Sequence, residues 1–204
     1  MPAAESIEIR PLTPALAGDY ARFFDATPHS ERPDNFKCYC VMWCGDNQHV
    51  LNRNFLGSEK IRRSMAVRYV KAGILRGYLA YCGGQVVGWC NANAKSDCLK
   101  CFGWRDIKGT MPTDGPGEKI KSVFCFAIAP EMRRQGVAAL LLERVCQDAA
   151  RKGFDFVEAY PIKEFANEAD DFKGPAELYR KHGFIVHAET GGRLVMRKDL
   201  KENP

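Results

Sequence analysis

The chain has 204 residues, of which 46% are hydrophobic and 27% are charged, and these proportions suit one globular domain, or one domain with an insertion. Its 30 basic and 25 acidic residues leave a net charge of +5, which suits an anionic ligand but does not by itself indicate nucleic-acid binding. No apolar run approaches the roughly 20 residues that cross a bilayer, and the N-terminal segment lacks the features of a secretory signal. We therefore expect a cytoplasmic protein that binds neither membrane nor nucleic acid.

The N-terminal quarter predicts a strand, a helix and a long irregular segment. "IEIRPL" (7–12) is typical of a strand. Thr13 offers a side-chain cap and Pro14 suits a first helical position, so we expect a helix that ends near Asp25. Residues 26–57 are rich in Pro, Asn, Cys and aromatic residues with weak periodicity. They predict loop and short helix, and long segments of this kind are often functional.

A second helix and a hairpin are predicted next. Ser58 can cap the helix, which carries Ile61, Met65 and Tyr69 on one face. Two β-rich runs, "ILRGYLAY" and "QVVGWCNA", flank a glycine turn and predict a hairpin. Residues 95–119 are rich in turn-forming residues, which predicts an excursion between strands.

The second half of the chain alternates strands and helices. "KSVFCFAIAP" (121–130) is a continuous apolar run and predicts a strand covered on both faces. The helix after it has apolar residues at helical spacing: Ala138, Leu141, Leu142, Val145 and Ala149. "FDFVEAYP" (154–161) is a strand, "AELYRKH" a short helix, and two final runs close a hairpin. This order predicts an α/β fold, with a mostly antiparallel sheet flanked by helices and one βαβ crossover at 121–160.

Nine cysteines are a high number for this length. Because the number is odd and no export signal is visible, a disulfide framework is not expected. Two groups could together supply four thiolates to a zinc ion: Cys38, Cys40 and Cys44 in "CYCVMWC", and Cys98 and Cys101 in "CLKC". The first spacing is not a common zinc pattern, so we predict buried free thiols and no metal site. A thiol-rich zinc or redox module is the alternative.

The stretch "RRQGVA" lies where the strand of 121–130 gives way to a helix. A helix N-terminus presents unpaired N–H groups and the positive end of the macrodipole, which together favour an anion. Gly136 lets a ligand approach the backbone, while Arg133 and Arg134 add cations that suit phosphate oxygens. The stretch therefore predicts a pyrophosphate site, with a solvated turn beside an ordinary core helix as the alternative.

These residues resemble a known family. "RRQGVA" is similar to motif A of the GNAT superfamily of acyl-CoA-dependent N-acyltransferases, [Q/R]-x-x-G-x-[G/A], and "AELYRKHGF" (176–184) resembles its second signature. The hairpin "YCGGQVVGW" resembles the family's central hairpin. The resemblance implies a single N-acetyltransferase domain over 1–204 with a GNAT-like sheet, in which 1–74 and 95–118 are acceptor-side elements.

The resemblance also implies an acetyl-CoA site at the βαβ crossover. In the family, the strand before motif A splays from the strand after the helix, and the pantetheine arm pairs with the exposed edge. The implied edge residues here are Phe126, Ala127, Ile128 and Ala129. The implied pyrophosphate residues are Arg133, Arg134, Gln135, Gly136, Val137 and Ala138. A backbone N–H near Ile128 would stabilise the oxyanion.

Two catalytic roles follow from the resemblance. Tyr179 would protonate the leaving thiolate, with an amphipathic core tyrosine as the alternative. The strand 120–129 lacks the carboxylate that acts as general base in many relatives. Glu158 is the best substitute if it lies at a cavity mouth with a raised pKa. The alternatives are a strand-end Glu that faces solvent or bonds to an Arg, and an amine that arrives neutral and needs no base. Phe172 replaces a family asparagine, and "DFKG" around it could wall the cofactor or substrate channel.

The acceptor is the least readable part of the sequence. Five aromatic residues could line an apolar pocket or belong to the core: Phe36, Tyr39, Trp43, Trp89 and Trp104. The region around residues 37–63 leans basic, which disfavours a polycationic acceptor. It favours a small primary amine, such as an amino acid or amino-sugar derivative, including one that carries a carboxylate. We predict acetyl transfer to such an amine by direct attack, with a non-catalytic acyl-CoA sensor as the alternative. A homodimer is left open.

Overall fold

The computed structural model of the protein describes residues 6–27, 37–47, 58–105, 114–164 and 172–201. Seven strands form one sheet with the order β1-β2-β3-β4-β5-β7-β6. The strands are β1 Glu8–Pro11, β2 Gly77–Cys82, β3 Gln85–Ala94, β4 Ile120–Ile128, β5 Phe156–Ala159, β6 Ile185–Thr190 and β7 Arg193–Asp199. All neighbouring pairs are antiparallel except β4 and β5. The predicted fold class and crossover are confirmed.

Five α-helices accompany the sheet in the described ranges. They are α1 Ala17–Ala26, α2 Glu59–Lys71, α3 Phe102–Arg105, α4 Val137–Arg151 and α5 Ala176–Lys181. A 3-10 turn, Pro14–Leu16, precedes α1, and Pro14 takes its first position as predicted. The predicted side-chain cap at Thr13 is wrong, because its hydroxyl makes no capping hydrogen bond. None of these helices is both long and apolar enough to cross a bilayer.

The buried face of α2 differs from the predicted one. Ser58 caps the helix as expected, accepting a hydrogen bond from the Ile61 N–H at 3.4 Å. Ile61 is exposed, however, whereas Arg62 and Met65 are buried. The Arg62 guanidinium donates to the Lys37 carbonyl at 2.8 Å. This contact turns the helix so that a polar residue shares its inner face, which apolar periodicity alone does not predict.

Helices cover both faces of the sheet, and β3 fixes where they sit. A Cβ atom at Gly88 would lie 2.9 Å from the Val137 side chain, so glycine lets the first turn of α4 approach the sheet closely. The next residue, Trp89, points to the other face. There its ring meets that of Tyr20 on α1 edge-on, with 4.9 Å between centroids. The N-terminus of α4 is thus held against β3 and the end of β4.

Candidate active site

The strand β4 has an open edge over its second half. It pairs in parallel with β5 only from Ile120 to Val123, where β5 ends at Ala159. Past Val123, β4 continues to Ile128 and pairs only with β3 among the described strands. The two parallel strands therefore part at this level, as the resemblance implied.

Only two of the four predicted edge residues turn their backbone polar groups toward this opening. The Ala129 N–H donates to the Val87 carbonyl on the β3 side at 2.9 Å. Because backbone groups alternate along an antiparallel ladder, Ala127 also faces β3, whereas Phe126 and Ile128 face away from it. The Arg133 side chain, which donates to the Ile128 carbonyl at 3.4 Å, agrees with this direction. The predicted contribution of Ala127 and Ala129 through their backbone groups is wrong for this reason.

The loop before α4 has the conformation of an anion site built from main-chain groups. Arg134 and Gly136 both have left-handed backbone angles, with φ of 60° and 82°. The Leu140 N–H donates to the Gly136 carbonyl at 3.1 Å, so the N–H groups from Val137 to Ala139 precede the first N–H that donates within the helix. Gly136 is the N-cap and no side chain caps this end. The N–H groups of this turn are therefore available to bind an anionic ligand.

Two side chains of this loop turn back onto the chain. The Arg133 guanidinium reaches the Ile128 carbonyl, and the Gln135 amide donates to the Glu131 carbonyl at 2.7 Å. Arg134 is exposed, and Val137 is buried under the helix. Ala138 is half-buried beside it. The predicted phosphate residues are therefore brought together, but their backbone is better placed than their side chains.

Tyr179 lies on α5 beside the open edge. Its side chain is fully buried, its ring centroid is 6.5 Å from that of Phe126, and it packs edge-on against Phe184. The hydroxyl donates to the Lys173 carbonyl. The ring is thus held next to β4 by packing on two sides, while the hydroxyl is anchored to the segment that precedes the helix.

Glu158 is not at the mouth of a cavity, and this corrects the role predicted for it. It is fully buried, and its Oε1 accepts from the Arg197 guanidinium at 2.5 and 2.9 Å. The Lys95 ammonium lies 2.9 Å from Oε2, which also accepts from the Tyr160 hydroxyl at 2.9 Å. Burial alone would raise the pKa of Glu158, but Lys95 and Arg197 hold it below its ordinary value. A carboxylate so paired is a weak base, so we do not assign it as the general base.

The acceptor-side aromatic residues divide into two groups. Tyr39 and Trp89 are fully buried and belong to the core. Trp43 is only half-buried and stacks on Phe124 of β4, with 5.4 Å between ring centroids. Trp104 meets the same Phe124 ring edge-on. Trp43 therefore lies over β4 just where it parts from β5; the predicted partner Phe36 lies outside the described residues.

Lys173 completes this region and was not predicted from the sequence. Its side chain is 2% exposed, and its ammonium lies 4.0 Å from the centroid of the Trp43 ring. Within the described ranges, the ammonium has no hydrogen-bond partner. Burial, together with the positive charge of Arg193, lowers the pKa of Lys173 to about 7. The only signal in the sequence was its place in "DFKG", beside the aromatic Phe172.

The nine cysteines are free thiols, and all but Cys82 are buried. Cys40 is set apart because the Asn91 amide donates to its sulfur at 3.1 Å. Burial alone would raise the pKa of Cys40, but hydrogen bonds with Cys125 and Asn91 lower it. Across the described ranges, no three Cys, His, Asp or Glu side chains gather in a way that could hold a metal ion. The zinc alternative therefore gains no support.

Comparison with known proteins decides the family. The family described as "Acetyltransferase (GNAT) domain" matches residues 75–186, more than half of the chain and the part that holds β4, α4 and α5. The chain belongs to the GNAT acetyltransferase family. No curated protein sequence matches it.

Solved GNAT structures share its fold. The PaiA N-acetyltransferase from Thermoplasma acidophilum, solved in complex with coenzyme A, is 13% identical with a TM-score of 0.54, and the match covers 95% of this chain and 99% of that one. An acetyltransferase of the GNAT family from Streptococcus pneumoniae is 16% identical with a TM-score of 0.52, over 95% and 99% of the two chains. Because these identities are low, they establish the fold and leave the acceptor open.

As a GNAT acetyltransferase, the chain has an open edge on β4 and a main-chain loop before α4, at the residues that resemble motif A. No residue of β4 carries a carboxylate, and the buried carboxylate of Glu158 is paired with two cations. A buried, unpaired ammonium at Lys173 stands near the opening instead.

Proposed function

We propose that the protein transfers an acetyl group from acetyl-CoA to the primary amine of a small molecule by direct attack. The observation that carries the proposal is the open edge of β4, which leads from Phe126 and Ile128 to the unpaired N–H groups at the start of α4. An extended pantetheine arm needs a strand edge to pair with, and a pyrophosphate needs main-chain donors. In this chain the open strand edge is followed directly by a loop that presents such donors.

The residues present fit acetyl-CoA as the acyl donor. The backbone groups of Phe126 and Ile128 would bond the pantetheine arm, and the N–H groups from Arg134 to Ala138 would hold the pyrophosphate. Nothing lies within 4 Å of where a Cβ of Gly136 would stand, so the loop is open at the point where a phosphate would approach. Solved neighbours such as the Thermoplasma PaiA enzyme were crystallised with coenzyme A, which supports the same donor here.

Catalysis requires the protein to position the two reactants and to allow two proton transfers, one to the leaving thiolate and one from the amine. The amine lone pair attacks the thioester carbonyl, a C–N bond forms and the C–S bond breaks, and the leaving thiolate takes a proton. We assign that proton to the Tyr179 hydroxyl, and oxyanion stabilisation to a backbone N–H of β4 that faces the opening, at Ile128 or Phe126. The amine reacts in its neutral form and passes its own proton to water, because Glu158 is tied to Lys95 and Arg197.

The test combines binding and turnover. Titration calorimetry is expected to give saturable binding of acetyl-CoA, and a panel of primary amines is expected to release free CoA thiol. Tyr179→Phe should lower kcat by about 10²-fold or more while acetyl-CoA binds as before. Tyr20→Phe is the matched control, since Tyr20 is also fully buried and donates to a backbone carbonyl, that of Tyr39, at 2.8 Å. Equal rates for Tyr179→Phe and Tyr20→Phe would remove the acid role from Tyr179.

A non-catalytic acyl-CoA sensor is the second candidate, and the sequestered Glu158 is the observation that favours it. A sensor would bind acetyl-CoA with the same β4 edge and loop but would release no CoA with any amine. Failure to bind acetyl-CoA at all would exclude both functions.

A further inference from the structure

Lys173 sits next to the residues that the proposed reaction uses. Its carbonyl accepts the hydrogen bond of the Tyr179 hydroxyl. A Cβ atom at the following residue, Gly174, would lie 3.4 Å from the ring of Phe126. The lysine side chain leaves this segment over the face of Trp43, which itself stacks on Phe124 of β4. The ammonium is therefore on the acceptor side of the opening between β4 and β5.

A second cation shares this interior. The Nη1 atom of Arg193, the first residue of β7, is buried and has no hydrogen-bond partner, like the ammonium of Lys173. The charge of Arg193 is close enough to lower the pKa of Lys173. Two like charges held near each other, each with an unused donor, are unfavourable without an anion. The arrangement is thus complementary to a negative group that has at least two acceptor oxygens.

Among the residues that the structure describes, no carboxylate and no thiol makes a hydrogen bond to the ammonium. The neighbouring Cys125, Cys40 and Cys101 would raise the pKa of Lys173 only as thiolates. The aromatic faces of Trp43 and Phe172 offer weak attraction to a cation but no hydrogen bond. A bound anionic ligand would use these donors.

We propose that Lys173, with Arg193 behind it, recognises a carboxylate on the acceptor, so that the substrate is a small amino acid-like molecule. This inference rests on the proposed acetyl transfer, whose reacting amine would enter over the same face of β4. Two basic residues of the first half of the chain already have carboxylate partners: Lys37 and Arg63 face Glu59 and Asp25, at 3.5 and 2.8 Å.

The experiment compares amino acids with their own carboxamides as acceptors. Each pair keeps the side chain and replaces the carboxylate by a neutral amide. The amine of the amide is also the less basic of the two, which by itself favours the amide, so a lower KM for the acid would not come from the amine. The acid is expected to have a KM at least about tenfold below that of its amide, the usual size of a charge-assisted hydrogen bond. Lys173→Met should remove this difference and Lys173→Arg should keep part of it. Lys181→Met, at an exposed lysine of α5, is the matched control and should retain it.

Three results would overturn the inference. Amides could serve as well as acids in every pair that turns over, which leaves acetyl transfer intact but removes carboxylate recognition. Lys173→Met could lower kcat for acids and amides alike, which would indicate a base at Lys173. Mass spectrometry after incubation with acetyl-CoA alone could find an acetyl group on Lys173, which would make the lysine itself the acceptor.

A binding measurement decides the matter if no pair turns over. In protein labelled with 13C at the lysine Cε, NMR titration would follow the pKa of Lys173 in the presence of CoA and each member of a pair. A rise in this pKa with the acid and none with the amide would support the site, because a bound carboxylate favours the charged lysine. The same pKa with both members would refute it, whatever the enzyme assay gives.

Discussion

At the scale of single residues, Lys173 holds its charge at a cost to stability. An ammonium that is 2% exposed and lacks a hydrogen-bond partner loses its hydration and receives only aromatic contacts in return. Buried ionisable groups of this kind cluster at functional sites. In the protein without its ligand, such a charge lowers the free energy of unfolding wherever the lysine is protonated. The charge of Lys173 should therefore be visible in the stability of the free protein.

Lys173→Met should stabilise the protein, and the gain should shrink as the pH rises. The pKa of Lys173 is lowered from 10.5 to about 7, so below about pH 7 the folded protein carries the full penalty. Between about pH 7 and 10.5 the unfolded chain binds one proton more than the folded protein. The free energy of unfolding of the wild type therefore rises with pH, by up to about 1.4 kcal/mol per pH unit. Urea unfolding at about pH 6.5, 8 and 9.5 measures this. A stability difference that stays constant with pH would mean that the ammonium is paired; Lys181→Met is the control.

Glu158 has the opposite character, since its charge is fully compensated. Glu158→Gln leaves Lys95 and Arg197 buried with one partner fewer, and should lower the free energy of unfolding by about 3–5 kcal/mol. Because the pKa of Glu158 is lowered, its stabilising effect is present above its ordinary pKa and is lost as the pH falls through the folded value. Urea unfolding near pH 7 and near pH 4 would test both statements.

The same substitution separates a structural from a catalytic Glu158. We expect Glu158→Gln, assayed well below its melting temperature, to keep kcat within a few-fold of wild type. A loss of about 10²-fold or more in kcat, with stability unchanged, would restore it as the general base.

At the scale of elements, the loop between β4 and α4 works through its backbone. Gly136→Pro imposes φ near −65° where the chain has 82° and removes one N–H, so acetyl-CoA binding should be lost. Arg134→Ala keeps the main chain and should weaken binding by only about tenfold or less. Titration calorimetry on both variants, after thermal unfolding has verified that they fold, measures the difference. Equal losses would mean that side chains hold the phosphates.

The elements themselves could be predicted because their signals are local. The apolar run of β4 and the spacing along α4 lie within about 30 residues, and the structure confirms both. The inner face of α2 could not be predicted, since it depends on the carbonyl of Lys37, which lies 25 positions away. Elements follow from periodicity, whereas the face that a polar residue presents follows from tertiary contacts.

The candidate site shows the same division. The motif A loop and the opening at β4 could be predicted from two short motifs in the right order. The state of Glu158 could not, because its partner Lys95 follows the β2–β3 hairpin and its partner Arg197 lies on β7, both far from it in the sequence. Lys173 was missed because nothing in "DFKG" indicates that its ammonium is buried over Trp43. Contacts between charged residues from distant segments are the part of a site that cannot be predicted from a single sequence.

At the scale of the whole molecule, the sheet consists of two parts that meet along a short seam. The strands β1 to β4 form one part and β5, β7 and β6 the other, and four residue pairs of β4 and β5 join them. One buried ion pair lies across this seam, since Lys95 follows β3 while Glu158 belongs to β5; the pair of Glu158 with Arg197 of β7 lies within the second part. A cytoplasmic location and the oligomeric state stay predictions at this scale.

The alternation along β4 has a consequence for amide hydrogen exchange. In a central strand, neighbouring amides are normally all slow to exchange, because each N–H bonds to one flanking strand or the other. Here Ala127 and Ala129 donate to β3, while the amides of Phe126 and Ile128 face the gap. We expect fast and slow amides to alternate in the middle of the sheet, and addition of acetyl-CoA to slow only the fast pair. The alternating pattern of deuterium uptake along β4 would thus show which residues the acetyl-CoA covers.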